Sequence, residues 1–165
     1  MLIYGPAALL LLLFLIGPVR GKTLRRLERV APGSIPFTIS NRKVFGERLA
    51  VAAIGTELGR RATGMTSAPC VTADALGLRF WDNTPLEFVG ALDWSRIASV
   101  TVGEVQTPFR RWSSSAILLH IRVGEGVVVV PLLSPNGTRG MFASRRESEF
   151  LARALDAVRT TSIEA

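Results

Sequence analysis

The sequence predicts an N-terminal single transmembrane helix, followed by an α+β domain that is mainly antiparallel β and ends in an amphipathic helix. Three observations predict it. Residues 2–19 carry no charged side chain. Between Cys70 and Leu133, short apolar runs alternate with turn formers. Residues 145–159 repeat apolar side chains at helical spacing. The expected division is a transmembrane anchor over 1–20, a basic juxtamembrane linker over 21–45 and a folded β domain over 46–160.

The opening run LIYGPAALLLLLFLIGPV would rise about 27 Å as a helix, close to the hydrocarbon thickness of a bilayer. Backbone polar groups in that slab must pair internally, which favours a helix. Pro6 falls near the first turn, where a missing N–H costs little. Pro18, with Gly17 and Gly21 near it, is expected to mark the exit. Tyr4 suits the far interface. A cleaved signal would need a basic leading region and a small-residue cleavage site. Here the only positive charge ahead of the apolar run is the α-amino group, and Val19-Arg20-Gly21 is a poor site.

Charge then sets the orientation. Arg20, Lys22, Arg25, Arg26 and Arg29 follow the apolar run, and nearly all of the net charge of +7 lies between residues 20 and 48. Basic residues at a span's end favour the cytoplasmic side, so the N-terminus is expected outside and the domain in the cytoplasm, at the cell membrane. The expected partners are the lipid bilayer through residues 2–19, anionic lipid headgroups through the five basic residues, and an unknown protein. Each basic residue near an anionic leaflet contributes about 1 kcal/mol. A nucleic-acid binder would carry its charge on the folded surface. Residues 49–165 hold twelve basic and eleven acidic side chains, so nucleic acid is not an expected partner.

Residues 31–45 hold two prolines and a glycine and read as a connector. Over 47–58, Leu49, Ala52, Ala53 and Thr56 fit one helical face, yet LAVAAI also suits a strand, and the two readings stay open. Residues 59–69 are rich in turn formers and read as loop. From Cys70 the pattern is β. Residues 78–81 and 86–89 flank the turn signal Asp82-Asn83-Thr84-Pro85 and make a hairpin. Residues 97–102 form a strand with Ile97 and Val100 inward, and 104–111 form a loop. In 116–123, Ile117, Leu119, Ile121 and Val123 share one face. Gly124-Glu125-Gly126 turns the chain into 127–133, where Pro131 predicts an edge or a bulge. Ser144 and Glu147 fit a capping box. Phe150, Leu151, Ala154, Leu155 and Val158 form the stripe of the helix over 145–159.

The runs GLRFWD (77–82), ALDWSRIASVTVGE (91–104) and AILLHIRVGEGVVVVPLL (116–133), with the final helix, resemble the bacterial pleckstrin-homology-like (PH-like) domain. A Gly-Leu-Arg strand precedes a Trp-Ser-x-Ile-x-x-Val strand start, here Trp94, Ser95, Ile97 and Val100. The resemblance covers about residues 70–160. It implies a seven-stranded sandwich or barrel and a binding scaffold, with no catalytic residue carried over. The chain departs from the pattern in its first third, where the early strands are hard to find between Arg42 and Pro69.

No catalytic, cofactor or metal constellation emerges. His120 is the single histidine and Cys70 the single cysteine, too few for a zinc site of nitrogen and sulfur ligands. Ser113-Ser114-Ser115 lacks an elbow glycine pattern. Asp74, Asp82, Glu87, Asp93, Glu104 and Glu125 fall at turns and strand ends. Asn136-Gly137-Thr138 matches a glycosylation acceptor and reads as a turn. One further cluster suits a headgroup or partner contact: Phe109, Arg110, Arg111 and Trp112, arginines beside aromatics in one loop. The function expected is a membrane-anchored, non-enzymatic interaction or scaffold module. An accessory subunit of a membrane enzyme or transporter, or a hydrolase, is the alternative.

Overall fold

The structure, a computed structural model, describes residues 18–39, 42–65, 69–83, 85–106, 113–133 and 144–164. Helix α1 (Pro18–Val30) leads into strand β1 (Ile35–Thr38). Helices α2 (Arg42–Ala52) and α3 (Glu57–Ala62) follow. Strands β2 (Cys70–Ala73), β3 (Gly77–Asn83), β4 (Leu86–Asp93), β5 (Ile97–Gln106), β6 (Ser113–Val123) and β7 (Gly126–Leu132) precede helix α4 (Arg145–Glu164). Two antiparallel sheets result, ordered β1-β2-β3-β4 and β5-β6-β7. The architecture is α+β.

The expected N-terminal transmembrane helix needs correction. Residues 1–17 lie outside the described residues. Pro18, expected to end an apolar helix, is the first described residue of α1. α1 is amphipathic, with Leu24 and Leu27 buried and Arg25, Arg26 and Arg29 exposed. Among the described residues, no helix is long and apolar enough to cross a membrane.

The segment expected to be a connector holds a strand within its described residues. Ala31 N donates to Leu27 O (2.8 Å), and Ser34 Oγ donates to Ala31 O (2.6 Å). Gly33 takes φ +78°, the left-handed turn that lets the chain reverse after the helix. The next four residues pair with β2, Ile35 opposite Ala73 and Thr38 opposite Cys70. β1 is an edge strand, where Pro36 is tolerated. Sequence reading missed it because four residues holding a proline present too short an alternation.

Residues 47–58 resolve as helix, with a break. α2 buries Phe45, Leu49 and Ala52, spaced one and two turns apart. Thr56 caps α3, accepting from Gly59 N (3.1 Å). A Cβ at Gly59 would lie 2.3 Å from Ala53 O, so the two helices meet this closely only with glycine there. The expected loop over 59–69 is therefore helical through Ala62. α2 packs on β7 and β6 while α3 packs on β4, so the helical pair bridges the two sheets.

The β half follows its pattern. The hairpin of β3 and β4 forms, with a bulge between Phe80 and Trp81. β5 extends through Gln106, past the expected loop start at Glu104. Ile117, Leu119 and Ile121 are fully buried. The turn after β6 has two residues, Gly124 and Glu125, because Val123 pairs with Gly126. β7, with Pro131, is an edge. The capping box is present: Ser144 N donates to Glu147 Oε2 (2.6 Å), and Glu147 N donates to Ser144 Oγ (3.3 Å). α4 packs on β5, β6 and the 3-10 turn Trp94–Arg96. Its buried face is Ser148, Leu151, Ala152 and Leu155. Phe150 and Ala154 are only half-buried, so the face sits slightly around the helix from the expected stripe.

One continuous core joins both sheets and helices α2 to α4. Phe80 lies at its centre, 5.9 Å from Phe45 between ring centroids. The crossing from β4 to β5 is held by Trp94 Nε1 donating to Asp74 O (2.7 Å) and Arg96 Nη2 donating to Ala52 O (2.8 Å). Phe80→Ala is expected to cost about 3–5 kcal/mol, and Ser144→Ala about 1 kcal/mol. Urea unfolding followed by circular dichroism measures both.

Candidate functional site

α1 sits on the face of the four-stranded sheet that points away from the main core. Leu24 and Leu27, three residues apart on one stripe, bury against Cys70, and Trp81 and Leu86 pack beside them. Trp81 Nε1 donates to Thr72 Oγ1 (3.0 Å), and its ring meets Phe88 edge-on at 5.3 Å. The Leu24, Leu27 and Ala31 spacing is the sequence signal for this docking. It is hidden among basic residues that otherwise explain the segment.

A helix turns 100° per residue, so Arg25, Arg26 and Arg29 fall on the face opposite Leu24 and Leu27. All three are exposed, and among the described residues none has an ion pair or hydrogen-bonded side-chain partner. The rest of the surface differs. Arg60, Arg61, Arg79, Arg145 and Arg159 each meet a carboxylate: Glu57, Glu87, Asp74, Glu149 and Asp156. Arg96, Arg122 and Arg153 donate to backbone carbonyls. Only Lys43, Arg48 and Arg146 share the uncompensated state of the α1 arginines among the described basic side chains. Arg20 and Lys22 belong to the first turns of α1. Phe109, Arg110, Arg111 and Trp112, the other expected contact cluster, lie outside the described residues, as does Asn136.

The carboxylates serve turns. Asp74 Oδ1 accepts from Leu76 N (2.8 Å) and Gly77 N (3.3 Å) while Asp74 Oδ2 meets Arg79. Asp82 accepts from Asn83 N, and Glu104 from Ser113 Oγ. His120 Nε2 lies 3.0 Å from Thr101 Oγ1 across the strands. No group of acidic, histidine or cysteine side chains among the described residues could hold a metal ion. Ser115 Oγ is buried, but Ser115 faces no base in any hydrogen bond among the described residues. What the arrangement presents on α1 is a face of three exposed arginines with no partner among the described residues.

Cys70 lies under α1, fully buried. Burial, and then the Asp82 charge, pushes its thiol up to about 12. No protein family, curated protein or solved structure matches this chain.

The raised thiol predicts an alkaline signature. Between pH 9 and pH 12 the unfolded chain loses the Cys70 proton while the folded chain keeps it, so stability falls as pH rises. The slope approaches about 1.4 kcal/mol per pH unit. Urea midpoints taken from pH 8 to pH 11 should fall less in Cys70→Ala than in the wild type.

Proposed function

We propose that this chain is a non-enzymatic interaction module held at the cytoplasmic face of the cell membrane, presenting a PH-like β domain there. The observation that carries the reading is the charge on α1. Arg25, Arg26 and Arg29, exposed and without counter-ions among the described residues, stand on α1 just beyond the uncharged run 2–19. An anionic leaflet supplies the counter-ions, and the apolar run supplies an affinity for hydrocarbon.

The PH-like reading draws support from seven described strands in sheets of four and three, closed by a C-terminal helix. That is the architecture the resemblance implies. The helical pair α2 and α3 stands between β1 and β2 in the chain. The domain's near-neutral remainder leaves its other faces suited to a protein partner rather than to nucleic acid.

The full chain should float with phospholipid vesicles. A reporter fused after Ala165 should be active only in the cytoplasm. Failure to float, or activity outside the cytoplasm, would overturn the reading.

A further inference from the structure

We propose that α1 lies flat on an anionic leaflet while staying seated on the four-stranded sheet, so that lipid, α1, sheet and core stack in that order. The inference rests on the membrane reading above and adds to it an orientation. Its basis is the opposition of the two faces of α1. Leu24 and Leu27 are 3% and 0% exposed against the sheet. Arg25, Arg26 and Arg29 point the other way with no ion-pair or hydrogen-bond partner among the described residues. A helix whose apolar stripe is already buried meets lipid through its cations alone, and guanidinium groups pair well with phosphate oxygens.

The connection to the domain leaves no slack. Ala31 and Ser34 are buried, and the hydrogen bonds Ala31 N to Leu27 O and Ser34 Oγ to Ala31 O lock the turn before β1. β1 is then paired along its whole length with β2. Whatever plane holds α1 therefore sets the tilt of the four-stranded sheet. The competing arrangement is an interfacial helix that leaves the sheet and sinks Leu24 and Leu27 into lipid. It would uncover Cys70, Trp81 and Leu86. The single cysteine thus reports the seating of α1 without any engineering.

The full chain is reconstituted into vesicles of phosphatidylcholine alone and of phosphatidylcholine with phosphatidylglycerol. Flotation in both comes first. Maleimide labelling of Cys70 should be slow and equal in the two lipids, and faster by about tenfold or more in Leu24→Ala/Leu27→Ala. A fluorophore on Val30→Cys, in a Cys70→Ser background, should be quenched by headgroup-labelled lipid more strongly in the anionic vesicles. Arg25→Glu/Arg26→Glu/Arg29→Glu should abolish that difference. Fast Cys70 labelling on anionic vesicles, or quenching indifferent to lipid charge, would overturn the seated orientation while flotation persists. Failure to float in either lipid would overturn the membrane reading, and this inference with it.

Discussion

Strand β2 is buried on both faces, and the N-terminal half of the molecule is organised around that constraint. Val71 and Ala73 enter the main core, while Cys70 and Thr72 point the other way and are still covered. A strand shielded on both sides must be all but uncharged, as Cys-Val-Thr-Ala is. It also needs a second cover beyond the sandwich core. α1 is that cover, and Trp81 completes it through its hydrogen bond to Thr72.

Covering the outer face fixes where charge can go. α1 spends its narrow apolar stripe on the sheet, so its cations must face outward. Elsewhere the surface arginines are largely matched, to carboxylates or to carbonyl oxygens. Among the described residues, the unmatched cations are Arg25, Arg26 and Arg29 on α1, Lys43 and Arg48 on α2 and Arg146 on α4. Charge is thus segregated by structure as well as by position along the chain. Exposed ion pairs add little stability, so the contrast concerns what the surface attracts more than how firmly it folds.

The β half was readable in the sequence because local signals agreed there. Ile117, Leu119 and Ile121 alternate cleanly, Pro131 called for an edge or a bulge, and Ser144 with Glu147 announced the last helix. The first third was obscure for opposite reasons. β1 is short and carries Pro36, and its pairing with β2 is a tertiary fact that no local pattern encodes. Residues 47–58 fit two periods, and the packing of α2 on β7 decided for helix. At the candidate site the five basic residues were evident at once. That Leu24 and Leu27 seat the helix carrying them was not, since two leucines among arginines make a weak stripe.

The separation of β1 from β2 by the two helices bears on how the molecule assembles. β2, β3 and β4 are joined by short turns, whereas β1 reaches β2 only after residues 39–69 have looped back. Closing a longer loop costs more chain entropy, so local hairpins gain their contacts sooner. Until β1 arrives, the backbone donors and acceptors along one side of β2 stay open. An open strand edge templates pairing with a neighbouring chain. The short, proline-bearing β1 therefore acts as a guard against self-association, closing the sheet with a strand that is itself a poor template.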